Sequence, residues 1–419
     1  MTGKLGRPAW RTGALLAVLA ATMGVAACGS SSSGSGGSSG GGGTSSSSSG
    51  PIKIMAFTVN IPALQLPEIV PSLTAAADAV NAAGGINGRK LQVIGCNTRF
   101  DPNATLECAR KAVSDHVVAA VGGVAYFQTI FPTLEKAGIA WLGGFGTLAQ
   151  ELQSPVSFPV GGGDPGWIYG QAKLLADKGV KHPAFVACQP AACQFEFPIF
   201  KSAWAKYGTG PIKTVTVPDN QTDLSSIAAS LISGGIDGVA TGEYASENAQ
   251  LIKELRQQGF TGPIVVNAPN LNASIVKGLG KSGTANLFTI GNELPPSTQN
   301  AAASPAVKNY LAQMHQYAPS TLLDELSTNA WAAGQVFIQA AKRIKGDVNA
   351  DSFLSELKGT TSANPIDVGM APPFTAPPST PPLKEFPRIG NLQVAVAQAQ
   401  PNGQFTQSPA ASFIQLFGS

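Results

Sequence analysis

The chain has 419 residues, of which 43% are hydrophobic, 12% charged and 7% aromatic. This composition excludes a wholly disordered chain, a coiled coil and a polytopic membrane protein. The formal net charge of +3 at pH 7 comes from Lys4, Arg7 and Arg11, because residues 1–27 hold these bases and no acid. The rest of the chain has as many acidic as basic residues. It therefore lacks the basic surface that nucleic-acid binding requires, and no nucleic-acid partner is expected.

The first 28 residues carry a targeting signal. The three bases precede an apolar stretch, residues 14–27, that is too short to cross a bilayer. Small residues then lead directly to Cys28, and this arrangement resembles a bacterial lipoprotein signal, in which the cysteine receives the lipid. We predict a signal peptide over residues 1–27 and lipidation of Cys28. The alternative is an ordinary secretory signal with an incidental cysteine.

A low-complexity segment follows the cysteine. Residues 29–50 consist of glycine, serine and one threonine, a composition typical of a flexible coil with a reach of about 26 Å. Residues 28–50 are therefore predicted to be a lipidated cysteine and a tether. The body of the protein would be anchored to the cell membrane, outside the cytoplasm.

The remaining cysteines fit that compartment. Cys96, Cys108, Cys188 and Cys193 are an even number, as expected for disulfides under oxidising conditions. Three pairings are possible, and we favour the local pairs Cys96–Cys108 and Cys188–Cys193. The three histidines of the chain are scattered, so no metal site is expected.

From residue 51 the sequence alternates between strand and helix patterns, which predicts an α/β fold with parallel sheets covered by helices. The predicted strands are residues 52–59, 90–96, 117–121, 139–142, 184–188, 212–217, 238–241, 264–267 and 287–290. The predicted helices include residues 63–83, 128–136, 247–258, 304–317 and 326–345, together with one capped by Asp101 that begins at Pro102.

This body is too long for one hydrophobic core, so two lobes are expected. The glycine-rich residues 161–166 are the predicted first hinge, since glycine permits sharp turns between lobes. We assign residues 51–162 and 293–375 to the first lobe, and residues 163–292 and 385–419 to the second.

Four segments resemble the branched-chain amino acid (Leu/Ile/Val) binding proteins, which are extracytoplasmic receptors of ABC importers. They are residues 81–90 (NAAGGINGRK), Asp101-Pro102, residues 115–122 (DHVVAAVG) and residues 386–391 (FPRIGN). The resemblance implies the type I periplasmic-binding fold, in which two Rossmann-like lobes are joined by three hinge crossovers and close on a small solute. It also implies no cofactor, a monomer, and an importer permease as partner.

Ligands of parallel sheets bind beyond the carboxyl ends of the strands. The resemblance places Tyr126, Phe145, Gly146 and Thr147 in the two loops of the first lobe that hold the ligand carboxylate through backbone amides and hydroxyls. In the second lobe it places Tyr244 at a ligand-facing tyrosine. We add three polar neighbours as candidates, namely Glu243, Asn267 and Asn270.

One position departs from the family. Where the relatives have a glutamate that holds the α-ammonium of the ligand, this chain has Ala268. A buried ammonium without an anionic partner is costly. Either Glu243 or Asp164 replaces the glutamate, or the ligand has no ammonium, and from the sequence we favour the second interpretation.

Two segments match sequence motifs of enzymes, but neither has the structural surroundings that its motif requires. Residues 36–40 fit the G-x-S-x-G pattern but lie in the tether rather than between a strand and a helix. Residues 161–166 fit the dinucleotide pattern, but Pro165 removes an amide donor and no acid ends the next strand. We therefore expect no enzyme. The sequence predicts a lipid-anchored solute receptor of an ABC importer, and the alternative is a ligand-sensing subunit of a signalling system.

Overall fold

A computed structural model describes residues 50–62, 64–189, 195–218 and 221–417. Its strands are β1 (Ile52–Thr58), β2 (Asn60–Ile61), β3 (Leu64–Gln65), β4 (Leu91–Asn97), β5 (Ala119–Val121), β6 (Ala140–Leu142), β7 (Ser157–Phe158), β8 (Pro183–Cys188), β9 (Lys213–Val217), β10 (Gly238–Gly242), β11 (Ile264–Asn267), β12 (Leu287–Gly291), β13 (Gln393–Ala399), β14 (Phe405–Thr406) and β15 (Ile414–Gln415). Its α-helices are α1 (Ile69–Ala82), α2 (Pro102–Ser114), α3 (Phe131–Ala137), α4 (Gly163–Asp177), α5 (Glu196–Tyr207), α6 (Ser225–Ser233), α7 (Ala245–Gln257), α8 (Ala273–Thr284), α9 (Thr298–Ala303), α10 (Pro305–Tyr317), α11 (Glu325–Arg343) and α12 (Ala350–Gly359).

Two sheets form the cores of two lobes, which confirms the predicted α/β fold. The first has the strand order β4-β1-β5-β6-β7, and its strands run parallel. The second has the order β14-β13-β12-β11-β10-β8-β9 and is parallel from β8 to β12, with β13 antiparallel to β12. Strands β8, β10, β11 and β12 are buried along their whole length, as expected for sheets covered on both faces.

The chain passes between the lobes three times. It leaves the first sheet after Phe158, and α4 then packs against β10 to β13 of the second. It returns after Gly291, because α10 and α11 pack on α1 of the first lobe. It crosses again before Gln393, where β13 joins the second sheet. These crossings fit the two-lobe assignment, whose exact boundaries stay a prediction.

The crossings pack side by side at the predicted hinge. A Cβ atom added to Gly161 would lie 2.5 Å from Cβ of Asn292 in the second crossing. One added to Gly162 would lie 3.4 Å from the carbonyl oxygen of Asn391 in the third. The glycines at these two positions therefore allow a close approach of backbones. Pro165 lies in the first turn of α4.

Two of the predicted helices begin later than expected. The helix predicted over residues 63–83 starts at Ile69, because residues on either side of position 63 form the short β2–β3 hairpin. Pro67 disfavours helical geometry for the residue before it. The helix predicted over residues 128–136 opens with the 3₁₀ turn Gln128–Ile130 before α3.

Local capping accounts for other boundaries. The carboxylate of Asp101 accepts a hydrogen bond from the amide of Ala104 at 2.8 Å, so α2 begins at Pro102 as predicted. Helix α12 was not predicted, although Asn349 and Ser352 form a reciprocal cap at its start. In the described part of the chain, no helix combines the length and apolarity that crossing a membrane requires.

The disulfide Cys96–Cys108 is present, with the two Cα atoms 5.8 Å apart, and that predicted pairing is confirmed. It ties the end of β4 to α2. Cys193 lies outside the described residues, so its pairing with Cys188 stays a prediction. The signal peptide, Cys28, the tether up to residue 49 and the motif over residues 36–40 also lie outside them.

We expect Gly161→Ala to lower the free energy of unfolding by about 1–3 kcal/mol, because the new methyl group overlaps Asn292. The control is Gly278→Ala in α8, where nothing lies within 4 Å of an added Cβ atom. That change should stabilise by up to about 1 kcal/mol through helix propensity. Urea denaturation measures both, and equal stabilities for the two variants would contradict the packing of the hinge.

Candidate functional site

The residues predicted from the sequence gather where parallel strands end. Tyr126 follows β5, Phe145 to Thr147 follow β6, and Asp164 lies in the first turn of α4 after β7. In the second lobe, Glu243 and Tyr244 follow β10, while Asn267 ends β11. All of them therefore lie at carboxyl edges, where open parallel sheets bind ligands.

The two lobes approach each other through a pair of tyrosines. Burial raises the pKa of Tyr126 above its usual range, and Tyr244 of the opposite lobe, Asp164 and Glu68 raise it further. The ring of Tyr126 packs edge-on against that of Phe100, with 4.9 Å between their centroids. Tyr244 remains 39% exposed. Tyr126 and Tyr244, which come from different lobes, therefore lie near each other.

The loop after β6 is built around an internal carboxylate. Glu151 is buried, and one of its oxygens accepts a hydrogen bond from Nε1 of Trp141 at 2.8 Å. Burial raises the pKa of Glu151, while Trp141 and the backbone amides of Gly146, Thr147 and Leu148 stabilise its charged form. The resemblance predicted that amides of this loop hold a ligand carboxylate. Here the carboxylate of Glu151 lies close enough to these amides for them to lower its pKa.

Aromatic packing places the rest of this loop. Phe145 is buried against Trp167 of α4, with 5.7 Å between the ring centroids, and the amide of Asp164 donates to its carbonyl oxygen. Gly163, with φ of 58°, leaves no room for a side chain beside that carbonyl. The loop and the start of α4 are therefore one packed unit, in which Thr147 is half-buried.

Glu243 is a fully buried carboxyl group whose two oxygens accept no hydrogen bond within the described residues. Burial, together with the charge of Glu247, raises its pKa to about 8. An unpartnered buried carboxylate is unfavourable, so this group holds its proton near neutral pH unless a cation approaches.

Glu196 is a second acid at this place, and sequence reasoning missed it. It is 6% exposed and lies in the first turn of α5, and its Oε2 has no partner in the described part of the chain. A Cβ atom on Gly242 would lie 1.6 Å from that oxygen, so the carboxyl group rests on the end of β10. Burial raises the pKa of Glu196 well above its usual range, and the neighbouring Asp164 and Glu243 add to this.

In the part of the chain that the structure describes, the buried charged side chains are all acids. The residues that the structure describes bury eight carboxyl groups but no lysine, arginine or histidine: Glu68, Glu151, Asp164, Glu196, Glu243, Glu293, Asp324 and Glu325. The other internal positions, Ala63, residues 190–194 and residues 219–220, contain no base either. In the described segments, no group of His, Cys, Asp and Glu side chains is arranged to hold a metal ion.

The two candidate asparagines differ in their surroundings. Asn267 is buried, and its Oδ1 accepts a hydrogen bond from Nε2 of Gln171 at 2.7 Å. The same nitrogen of Gln171 donates to the carbonyl oxygen of Thr241, so Asn267 braces α4 against the second sheet. Asn270 is half-buried in the 3₁₀ turn Ala268–Asn270.

A cavity of about 220 Å³ lies beside this site and includes Ala268 in its wall. Its lining comes from both lobes and from the second crossing, and Asp324 and Glu325 contribute to it. Both acids are engaged, since Asp324 caps α11 and Glu325 accepts from the amide of Asn292. A larger cavity of about 640 Å³ opens at the amino end of β1, the edge of the sheet opposite to the site.

We expect the ligand-free protein to lose stability as the pH rises. The pKa is raised to about 8 for Glu68 and Glu243 and to about 6 and 7 for Asp324 and Glu325, against about 4 in an unfolded chain. Between these limits the unfolded chain has released protons that the folded protein retains, so each rise in pH favours unfolding.

Urea denaturation between about pH 5 and pH 8 measures this trend. Glu243→Gln should make the slope shallower, because the amide cannot ionise. An unfolding free energy that increases over this range would show that the buried acids are charged in the folded protein.

Comparisons with known proteins agree with this architecture. A family model described as periplasmic binding protein matches residues 63–380, which is more than half of the chain. Leu/Ile/Val-binding protein homolog 3 from Brucella melitensis biotype 1 is 23% identical over 308 residues, which are 70% of this chain and 78% of the relative.

Two solved structures share the fold. A possible leucine/isoleucine/valine-binding protein from Rhodopirellula baltica SH 1 superposes with a TM-score of 0.71 at 17% identity, over 86% of this chain and 97% of that one. A fatty acid ABC transporter substrate-binding protein from Thermomonospora curvata gives 0.68 at 15% identity, over 88% and 92%.

The predicted fold and the expectation that the chain is not an enzyme are both confirmed by this relationship. The match to the family model, the two parallel sheets and the three crossings between them establish that the chain belongs to the periplasmic binding protein family, whose members bind solutes outside the cytoplasm and are not enzymes.

Proposed function

We propose that this protein is a lipid-anchored receptor that captures a small polar solute between its lobes and delivers it to the permease of an ABC importer. The observation that carries this proposal is the proximity of Tyr126 and Tyr244, which come from different lobes and lie close enough for Tyr244 to raise the pKa of Tyr126. A site divided in this way is complete only when the lobes are close together. Binding and closure are then the same event.

The ligand-facing set that we propose is the one predicted from the sequence, enlarged by one acid. Tyr126, Phe145, Gly146 and Thr147 contribute from the first lobe. Glu243, Tyr244, Asn267 and Asn270 contribute from the second, and Glu196 joins them because its unpartnered oxygen faces the same acids. The names of the relatives do not fix the solute, since one refers to Leu/Ile/Val and another to a fatty acid.

Delivery to an importer follows from the family and from the proposed anchor. Residues 29–50 would let the body move about 26 Å from the lipid on Cys28, a distance comparable to the size of a domain. A tethered monomer could thus reach a permease in the same membrane. A sensory subunit would need the same tether and the same binding site, so a cellular measurement has to separate the two functions.

We expect Tyr244→Ala to weaken solute binding about tenfold or more, which corresponds to about 1.4 kcal/mol, because the second lobe loses its aromatic contact. Tyr244→Phe is the matched control and should retain most of the affinity. Small-angle scattering should show that the wild-type protein contracts on binding. A protein that binds its solute with no contraction would contradict closure of the lobes.

Uptake of the labelled solute in a deletion strain tests the transport function. Loss of the gene should abolish uptake, the wild-type gene should restore it, and Tyr244→Ala should restore it only at high solute concentration. Normal uptake combined with a lost transcriptional response would instead identify a sensory subunit.

We expect Cys28→Ala to release the protein from membranes, because the substitution removes the proposed lipid attachment site. Cell fractionation and immunoblotting measure the distribution. Ser30→Ala, which leaves the cysteine in place, is the control and should remain with the membrane. Retention of the Cys28→Ala protein in the membrane fraction would refute the lipoprotein assignment.

A further inference from the structure

The carboxyl groups at the site form a connected set across the lobes. Asp164 lies close enough to Tyr126 and Glu196 to raise the pKa of each, Glu151 raises the pKa of Asp164, and Glu196 in turn neighbours Glu243. Asp164 thus links the tyrosine of the first lobe with Glu196 in the first turn of α5 and, through it, with Glu243 after β10.

Two of these acids lack the partners that a structural role would require. Glu243 is fully buried with both oxygens unpartnered, and Glu196 is 6% exposed with one oxygen unpartnered, within the described chain. Buried polar groups of a stable interior are hydrogen-bonded in the great majority of cases. The chain offers no buried base that could pair with them. Within the described residues, then, the chain supplies no donor to these oxygens.

Resting on the function proposed above, we propose that the solute is an organic cation, an amine without a carboxylate, whose ammonium group is held by Glu243, Glu196 and Asp164 between Tyr126 and Tyr244. Aromatic rings beside carboxylates suit an ammonium group, because the ring face attracts the cation and the carboxylates accept its protons in hydrogen bonds.

The other side of the site argues against a carboxylate on the solute. The amides of Gly146, Thr147 and Leu148 already stabilise the carboxylate of Glu151. A carboxylate on the solute would also meet Asp164, which is next to Glu151, with no buried base to compensate. Like charges at such distances repel strongly in a desolvated site. The proposal thus adopts the interpretation not favoured from the sequence, in which Glu243 or Asp164 replaces the glutamate missing at Ala268, and it gives both acids that role.

Proton release provides a signature that does not depend on knowing the solute. Burial raises the pKa values of Asp164, Glu196 and Glu243, and an ammonium group favours their charged forms, so binding should expel protons and tighten as the pH rises from about 6 to about 8. The groups that face Glu243 are Glu247 and Tyr244 from its own segment, Glu196 from α5, and Asp164 from α4 beyond it.

The test is calorimetric titration of the full-length protein with two panels of compounds. One contains putrescine, cadaverine, agmatine and choline; the other contains leucine, isoleucine, isovalerate and benzoate. We expect binding within the amine panel, with a heat that changes between phosphate and Tris buffers because protons are released. Glu243→Gln should weaken that binding at least tenfold. Glu254→Gln, in the helix α7 that follows Glu243 but remote from the site, should leave it unchanged.

The outcomes separate this inference from the proposed function. Contraction in scattering with a compound of the second panel, and none with the amines, would overturn the cationic ligand and leave the receptor function standing. Amine binding of unchanged affinity in both Glu243→Gln and Glu196→Gln would also overturn it. No binding and no contraction with any compound of either panel would count against the receptor function itself. If Glu243→Gln does not fold, Glu196→Gln and the proton release of the wild-type protein decide the matter.

Discussion

The contact between Gly161 and Asn292 is the constraint on which the site depends, because it holds two of the crossings between the lobes together. Separating the two crossings would lose that packing. The carboxylate of Glu325, at the start of α11, accepts a hydrogen bond from the amide of Asn292. This bond connects the contact between the two crossings to the first lobe. Under the function proposed above, each lobe carries its own half of the site. Closure would then change the distance between Tyr126 and Tyr244.

The buried acids also affect the closure of the lobes electrostatically. When two lobes bring carboxyl groups together and no base is present, closure is favourable in two situations. In the first the carboxyl groups are protonated, and in the second a cation binds between them. Glu293 and Glu325 show the first solution close to the hinge, where burial and mutual proximity raise the pKa of Glu293. Asp164, Glu196 and Glu243 would use the second. A receptor built in this way would discriminate by charge before it discriminates by shape, because an anion would find no compensating group inside.

Much of the fold could be read from the sequence, since its signals are local. Apolar runs marked the strands, Asp101-Pro102 marked a helix start, and short spacing marked the Cys96–Cys108 pair. The β2–β3 hairpin escaped because alanine and leucine around position 63 also suit a helix. Glu196 escaped for a different reason. An acid in the first turn of a helix is ordinarily explained by the helix dipole, and only the fold brings it onto the end of β10, more than forty residues along the chain.

The alanine at position 268 takes a different meaning once the acids are counted. Considered alone, the alanine removes the carboxylate that the resemblance predicts as the partner of an ammonium group. For this reason the sequence favoured a ligand that has no ammonium group. Ala268 instead contributes to the wall of a cavity beside the hinge, while Glu243, whose oxygens have no hydrogen-bond partner among the described residues, follows the neighbouring strand, β10. β10 and β11 are hydrogen-bonded neighbours with Thr241 opposite Val266. A carboxylate moved from the end of one strand to the end of the next stays at the same edge of the sheet, so the site can keep its charge while its chain position changes.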